Sequence, residues 1–187
     1  PQIAYLKRKI RQLEKLVYKD ELTKVYNRRG FLDQKKFLKE LFSSIQNDKR
    51  KRIIIKNCSL ILFDIDDFKK INDTFGHNAG DKILKTVCNE IKKRIRDFDI
   101  IGRWGGEEII VLLVGANNFE AYKIADYIRV KIANKKIKYR NNFIKLSVSA
   151  GVSDFSSEKN FEKVFKAADE VLYKAKKTGK NKVVMAK

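Results

Sequence analysis

One uninterrupted apolar run that ends in acid constrains the fold of this chain more than any other feature. The run Cys58-Ser-Leu-Ile-Leu-Phe-Asp-Ile65 is apolar almost throughout. Such a run is typical of a central strand, because both of its faces need covering layers. Amphipathic segments that predict the covering helices are Arg28 to Ser44, Asp67 to Phe75, Asp81 to Ile95, Phe119 to Ala133 and Phe161 to Lys176.

Further apolar runs predict the other strands of the sheet. They are Ile100 to Trp104, Ile109 to Val114, a hairpin or long strand over Tyr139 to Ser153, and an edge strand over Lys182 to Ala186. Gly105-Gly106 separates the first two runs and predicts a tight hairpin, since primed turns need positive φ. Asn141-Asn142 is the second predicted turn. The order indicates an α/β (α+β) fold, with a central, mostly antiparallel sheet flanked by helices.

The composition narrows the class of protein. Among 187 residues, 43 lysines and arginines against 23 acidic residues give a net charge of +20. The basic residues are spread along the chain, so solvated surfaces explain them as well as phosphate contacts do, and no nucleic-acid partner is expected. Two cysteines form neither a disulfide framework nor a zinc site. No apolar run approaches the roughly 18 residues of a membrane span, so no membrane contact and a cytoplasmic location are expected.

The amino-terminal residues have the spacing of a coiled coil. Ile3, Leu6, Ile10, Leu13 and Val17 alternate three and four apart. Either this helix is the end of a stalk that joins two chains in a homodimer, or it packs on its own domain; the stalk is favoured. We therefore divide the chain into a stalk, residues 1–19, and a globular domain, residues 20–187. Because the chain begins with proline, we expect a longer protein with an upstream sensor or regulatory domain, which itself can be membrane-anchored.

Two groups of carboxylates stand out against the basic background. Asp64-Ile-Asp-Asp67 ends the predicted central strand, and Glu107-Glu108 follows the glycine pair. If the two strands are neighbours, Asp64 and Glu107 converge on an oxygen-rich site of the kind that binds Mg²⁺ with substrate phosphates. The alternative is that Asp66 or Asp67 caps the next helix and the glutamates are solvated.

A second polar group surrounds Gly76-His-Asn-Ala-Gly-Asp81. Small residues there allow a ligand to approach the backbone, and Asn72, His77 and Asp81 carry groups that can pair with a base edge. The alternative is again local, because Asp81 is an equally good helix N-cap.

Five blocks in order resemble one family, the GGDEF diguanylate cyclases, over about residues 20–181. The blocks are Asp20-x-Leu-Thr-x-x-x-Asn-Arg28, Asp64-Ile-Asp-x-Phe-Lys-x-Ile-Asn-Asp73, Gly76-His-x-x-Gly-Asp81, Arg103-x-Gly-Gly-Glu-Glu-Ile109 and Ala168-Asp-x-x-Leu-Tyr-x-Ala-Lys176. The resemblance implies a nucleotide-cyclase-like fold. It also implies Mg²⁺-dependent condensation of two GTP into cyclic di-GMP and two pyrophosphates by a dimer of domains; Mn²⁺ is an alternative ion.

The resemblance also assigns roles to individual residues. The implied metal ligands are Asp64, the Ile65 carbonyl, Glu107 and Glu108. Glu107 is the expected base for the 3′-hydroxyl, and Lys69 is the expected phosphate contact at the reacting centre. The other implied substrate contacts are Phe68, Asn72, His77, Asp81, Gly105, Gly106, Lys176 and Lys180.

Three positions qualify the resemblance. Lys180 stands where the family usually has arginine, so a bidentate phosphate contact is lost. Ile109 replaces the phenylalanine of the signature, an apolar exchange that we expect to be tolerated. Arg96-Asp-Phe-Asp99 matches the family's inhibitory site for cyclic di-GMP, with a surface ion pair as the alternative.

Some members of the family are inactive receptors for GTP or cyclic di-GMP, and a catalytically weak receptor is the alternative function. Such members typically lose the signature acids, whereas Asp64, Glu107 and Glu108 are present here. The sequence therefore favours the enzyme.

Overall fold

The computed structural model describes residues 17–34, 57–156 and 160–187, together with residues 2, 3, 5, 6 and 9. The strands are β1 (Cys58–Ile65), β2 (Ile100–Arg103), β3 (Glu108–Val114), β4 (Ile137–Tyr139), β5 (Asn142–Ile144), β6 (Val148–Asp154) and β7 (Val183–Met185). The helices, numbered from the central strand onward, are α1 (Phe68–Phe75), α2 (His77–Lys92), α3 (Asn118–Ala133) and α4 (Phe161–Lys177).

Five strands form the main sheet in the order β2-β3-β1-β6-β7. Every pairing is antiparallel except that of β6 with the edge strand β7. The structure confirms the mixed fold with a central, mostly antiparallel sheet and flanking helices.

The central strand β1 is buried along its whole length, as its apolar run predicts. Alternate side chains enter opposite layers of the core, because successive strand residues point to opposite faces. Ile61 and Phe63 pack with residues of α1, α2 and α3, whereas Leu60 and Leu62 pack with α4 and Phe31. The end of β1, where Asp64 lies, is therefore held from both sides.

The predicted hairpin or long strand over Tyr139 to Ser153 is divided between two sheets. β4 and β5 form a separate two-stranded sheet, and only β6 joins the main sheet. The turn lies at Arg140-Asn141, one residue before the predicted position, and Arg140 takes a φ of 51°. The two-stranded ribbon of β4 and β5 packs on the core through one face. Ile137 pairs with Ile144 on that face, and both side chains are buried.

The polar segment from Gly76 to Asp81 contains the start of α2 and is not a linker between two helices. Gly76, with a φ of 83°, ends α1, and α2 begins directly at His77 and ends at Lys92. A glycine that adopts this φ reverses the chain without strain, so no longer linker is needed. The predicted start of this helix at Asp81 is wrong, and Asp81 is not an N-cap but an exposed residue within α2.

The hairpin predicted at Gly105-Gly106 is confirmed, because β2 and β3 are antiparallel neighbours joined by this loop, but the predicted primed turn is wrong. Neither glycine has a positive φ, so the connection is not a primed turn. Instead, the loop is closed where the Trp104 amide donates to the Glu108 carbonyl over 2.9 Å. A Cβ on Gly105 would lie 2.4 Å from Glu108 Oε2, so a side chain there would displace the end of the Glu108 side chain.

The amino-terminal prediction is only partly covered by the described residues. Ile3, Leu6 and Val17 are exposed, by 71%, 52% and 42%, whereas Ile10 and Leu13 lie outside the described residues. Residues 28–34 are helical, as predicted, while the rest of that predicted helix and the loop Gln46 to Arg52 fall outside. None of the helices in the described ranges is both long enough and apolar enough to traverse a bilayer.

Candidate active site

The pairing of β1 with β3 brings the two acidic groups together. Asp64 lies opposite Glu108 in the register of these antiparallel strands. Glu107 comes directly before β3, and the negative charges of both glutamates act on the Asp64 carboxyl. The structure therefore places Asp64, Glu107 and Glu108 at one edge of the sheet.

Asp64 is a buried carboxylate that faces one cation. Its side chain is 6% exposed, and Lys176 Nζ, from the last turn of α4, lies 2.6 Å from Asp64 Oδ2. Burial raises the pKa of Asp64 to about 6; Lys176 opposes this shift, and the charges of Glu107 and Glu108 add to it. A buried carboxylate beside other negative charges is typical of a site that receives a cation.

The donor set of this site fits a hard divalent cation that also contacts substrate. Asp64, Glu107 and Glu108 supply carboxylate oxygens, the ligands that such ions prefer. In the described ranges, no group of three or more His, Cys, Asp or Glu side chains is arranged to hold an ion by itself. An ion that keeps waters and takes substrate phosphates needs only one or two protein carboxylates.

Asp66 and Asp67, between β1 and α1, have different roles. Asp66 is buried and accepts hydrogen bonds from Ser147 Oγ at 2.6 Å, Ser149 Oγ at 2.7 Å and the Asn181 amide at 2.9 Å. Asp67 occupies the N-cap position of α1 with a φ of 55°, but its side chain makes no capping hydrogen bond. Neither aspartate therefore caps the helix through its side chain: Asp66 fixes the loop beside Asp64, a role that the sequence did not reveal.

The two lysines expected to bind the triphosphate both pair with carboxylates near the site. Lys176 pairs with Asp64, and Lys180 Nζ lies 2.6 Å from Asp67 Oδ1. The hydrogen bond that Lys180 donates to Asp67 raises the pKa of the lysine. Both cations therefore lie at or just beyond the carboxyl end of α4, next to the acidic loop after β1.

The residues expected to bind the guanine lie on α1 and α2. Asn72 is half-buried on α1, whereas His77 and Asp81 are exposed one turn apart on α2. Among the described residues the buried Asn72 Oδ1 atom has no hydrogen-bond partner, and a Cβ on Gly80 would lie 2.0 Å from it. Any larger side chain at position 80 would therefore have to displace the Asn72 amide.

Two further predicted contacts belong to α1. Phe68 is buried, and its ring lies within 3.0 Å of the position that a Gly80 Cβ would take. Lys69, beside it, is exposed. Phe68 therefore holds α1 against α2, while Lys69 faces solvent.

Arg103 is a site-supporting residue that the sequence indicated only as part of a motif. Its Nη1 lies 3.1 Å from Asp20 Oδ2, and its Nε and Nη2 donate to the Gly106 carbonyl at 3.0 and 2.8 Å. The next residue, Trp104, lies 4.8 Å from Phe165 between ring centroids. The loop before Glu107 is therefore held by a guanidinium on one side and by aromatic packing on the other.

The candidate inhibitory site is organised by hydrogen bonds to the backbone. Asp99 Oδ2 accepts from the Arg96 amide at 2.8 Å, and Asp99 Oδ1 accepts from the Val114 amide at 2.9 Å. The guanidinium of Arg96 lies 5.6 Å from the centre of the exposed Phe98 ring. The predicted alternative, a surface ion pair between Arg96 and Asp99, is not what this geometry shows.

Comparisons with known proteins agree with this geometry. Residues 17–182 match the family model described as "Diguanylate cyclase, GGDEF domain". Diguanylate cyclase DosC of Escherichia coli K12 is 37% identical over 170 residues, which cover 90% of this chain and 35% of DosC. The chain thus spans about a third of this curated relative.

Two solved structures are similar over most of the chain. The coiled coil and GGDEF domain of DgcB from Caulobacter crescentus, solved with c-di-GMP, has a TM-score of 0.86 at 24% identity, covering 99% of this chain and 94% of that one. This likeness supports the fold. The active GGEEF domain of a Vibrio cholerae diguanylate cyclase has a TM-score of 0.69 at 31% identity, covering 86% and 97%.

The family match extends over nearly the whole described domain and includes the carboxylates, the lysines and the two helices of the site. The chain belongs to the GGDEF family of diguanylate cyclase domains.

Proposed function

We propose that this chain is a diguanylate cyclase that condenses two GTP into cyclic di-GMP and two pyrophosphates. The observation that carries the proposal is the edge of the sheet where buried Asp64 faces Glu107, Glu108 and Lys176. Phosphoryl transfer depends mainly on positioning and on neutralising charge, and this group supplies carboxylates and a cation at one place.

We assign the metal site to Asp64, the Ile65 carbonyl, Glu107 and Glu108, with Mg²⁺ as the ion and Mn²⁺ as an alternative. When bound, the ion supplies positive charge to the phosphate oxygens. Lys176, which pairs with Asp64 at 2.6 Å, can turn to the triphosphate because a third of its side chain is exposed. Lys180 and Lys69 supply further positive charge to the phosphates.

The remaining residues orient the nucleotide and move a proton. Glu107 accepts the proton of the attacking 3′-hydroxyl as that oxygen bonds to the α-phosphate of the second GTP and pyrophosphate leaves. Asn72, His77 and Asp81 hold the guanine and ribose beside Phe68. Gly105 and Gly106 let the substrate approach the loop, since no side chain stands there.

If each domain binds one GTP, two domains must face each other for the reaction. The amino-terminal helix can hold two chains together as a stalk. Ile3, Leu6 and Val17 are exposed rather than packed on the domain, which supports the stalk over the alternative. Joining two chains raises the effective concentration of one half-site near the other. Deletion of residues 1–17 should lower specific activity in dilute protein and leave it recoverable at high concentration; a truncated form whose turnover does not depend on concentration contradicts the dimer.

We also propose that cyclic di-GMP inhibits the enzyme at Arg96 and Asp99. Asp99 fixes the Arg96 backbone through one of its two amide hydrogen bonds, and the exposed Arg96 guanidinium lies over an exposed ring, which supports Arg96 as the group that meets the ligand. Arg96→Ala should relieve inhibition by added cyclic di-GMP, with Arg94→Ala as the matched control. Unchanged inhibition in Arg96→Ala contradicts the site.

The experiment that tests the enzyme compares the parent with Glu107→Gln, using Glu170→Gln on the exposed face of α4 as the control. After incubation with GTP and Mg²⁺, nucleotides are separated by chromatography and GTP binding is measured by calorimetry. We expect product from the parent and the control, and on the order of 100-fold less from Glu107→Gln, which still binds GTP. Binding of GTP without product in all three forms would instead support the receptor.

A further inference from the structure

The ribbon of β4 and β5 has one face in the core and the other in solvent. Its inner pair, Ile137 and Ile144, is buried. Its next pair, Lys138 and Phe143, points the opposite way, because strand side chains alternate between faces. Phe143 is 65% exposed, and Arg140 forms the turn beside it. The ribbon therefore presents a large apolar ring directly next to cations.

The ribbon and the chain on either side of it carry charged side chains of one sign only. From Tyr127 to Ser153 the sequence contains no aspartate or glutamate. The cations of this stretch are Arg129, Lys131, Lys135, Lys136, Lys138, Arg140 and Lys145. In a chain with 23 acidic residues, such a stretch makes a local positive surface that is stronger than the average charge implies.

Some of these cations have acidic neighbours and contribute less to this surface. Arg129 pairs with Asp126 and Lys135 with Glu90, while Lys145 lines a cleft beside Asp66 and Asp67. In the part of the chain that the structure describes, Lys136, Lys138 and Arg140 form no salt bridge. Together with Phe143, we call these three residues the ribbon patch.

We propose that the ribbon patch docks on an anionic phospholipid surface. Lysines and arginines near such a surface are attracted to its lipid headgroups, and an exposed aromatic ring between them can enter the interface. A single-stranded nucleic acid would need a row of stacking rings along a groove, whereas one exposed ring stands at the end of a ribbon here. This proposal replaces the sequence-based expectation of no membrane contact, which rested on the lack of an apolar run long enough to span a bilayer.

The ribbon patch is separate from the proposed catalytic machinery. None of its four residues is among the carboxylates, lysines or nucleotide contacts assigned above. Its variants therefore keep basal cyclase activity in solution, and membrane binding can be measured without reference to turnover. Failure of the membrane proposal and failure of the proposed enzyme function are thus distinguishable.

The test is sedimentation of the full chain with vesicles of phosphatidylcholine alone or of phosphatidylcholine with about 30% phosphatidylserine. The triple variant Lys136→Gln/Lys138→Gln/Arg140→Gln is compared with Lys85→Gln/Lys92→Gln/Lys123→Gln, which removes the same charge from exposed positions on α2 and α3. Each cation near the surface contributes roughly a fivefold increase in affinity, so the ribbon variant should bind the anionic vesicles about 100-fold more weakly than the parent. The control variant should lose far less affinity. Equal losses in both variants, or no binding by the parent, overturn the proposal.

A second pair of variants tests the ring. Phe143→Ser should weaken vesicle binding without changing the charge, and Phe143→Trp should show a blue shift in fluorescence on addition of anionic vesicles, beyond any change from Trp104 in the parent. A nucleic-acid duplex is tested as a second ligand for the parent and the triple ribbon variant. If the ribbon variant loses duplex binding but binds vesicles as the parent does, the patch binds nucleic acid and the membrane proposal is overturned. Thermal melting of each variant checks that the fold is retained.

Discussion

Arg103 and Asp20 are joined by an ion pair of 3.1 Å that connects the segment preceding the sheet to the signature loop. The same guanidinium donates twice to the Gly106 carbonyl, one residue before Glu107. Asp20 in turn accepts from the amide and the hydroxyl of Thr23. A movement at residues 17–20, where the helical amino-terminal segment enters the domain, therefore has a direct path of hydrogen bonds to the loop of Glu107.

Replacing Arg103 by lysine tests this connection. An ammonium group cannot reach Asp20 and Gly106 together as the planar guanidinium does. We expect kcat to fall about 10- to 100-fold, since a small displacement of a reacting group is costly, while the KM for GTP changes little. Steady-state kinetics measure both, with Arg94→Lys as the control. A KM increase with unchanged kcat would place Arg103 in substrate binding instead.

The stability of the turn at Asp20 should depend on pH. Burial alone would raise the pKa of Asp20, but hydrogen bonds from Thr23 and the charge and hydrogen bond of Arg103 outweigh it and hold the pKa below its ordinary 3.8. A depressed pKa stabilises the fold above pH 3.8, and this contribution is lost as pH falls through the folded-state pKa.

Asp20→Asn should therefore be less stable than the parent by about 1–2 kcal/mol near neutral pH, with the difference shrinking below pH 3.8. Urea unfolding across this range measures the difference. A stability difference between Asp20→Asn and the parent that stays the same below pH 3.8 would contradict the role of the Asp20 charge.

The ionised side chain of Asp64 should lower the stability of the fold, although the proposed function needs it. Its pKa of about 6 lies above the ordinary 3.8, so the ionised form destabilises the fold. This cost is absent below pH 3.8 and complete above about pH 6. In metal-free buffer near neutral pH, Asp64→Asn should be more stable than the parent by up to about 3 kcal/mol. With GTP and Mg²⁺ added, the variant should have no turnover. A variant that is less stable under these conditions contradicts the destabilising role of the ionised Asp64.

Gly80→Ala should disturb the guanine site through Asn72. The new Cβ would lie 2.0 Å from Asn72 Oδ1, so the amide must move, although alanine itself favours a helix by about 1 kcal/mol. We expect a net loss of about 1–2 kcal/mol in stability and a roughly tenfold higher KM for GTP. Gly106→Ala is the control for stability, because no atom lies within 4 Å of the position that a Cβ would take there. Equal stability of Gly80→Ala and the parent would contradict the packing argument.

The sequence predicted the features that depend on local pattern. The apolar run of β1 predicted a central strand, and its neighbour β3 followed from a second run of the same kind. Asp64 and Glu107 were expected to converge if the two strands are neighbours; they are neighbours, and Asp64 lies opposite Glu108 in register. The amphipathic spacing predicted α3 and α4 to within one residue at each end.

The features that the sequence did not reveal depend on contacts between distant residues. Asp66 accepts from Ser147 and Ser149, more than 80 positions away, and Arg103 reaches Asp20 across 83 positions. The local pattern of apolar and polar residues in the sequence does not predict such pairs. The start of α2 at His77 was missed because a glycine and an aspartate predicted a break and a cap, whereas the chain reverses at Gly76 alone.

The measurement that tests the central claim most directly is ³¹P NMR of GTP and Mg²⁺ incubated with the purified chain at high concentration. We expect that GTP signals are replaced by those of cyclic di-GMP and free pyrophosphate, two pyrophosphates for each cyclic product, and that Glu107→Gln leaves GTP intact. Conversion of GTP to GDP and inorganic phosphate, or the same product from Glu107→Gln at the same rate, would contradict the assignment as a cyclase that uses Glu107.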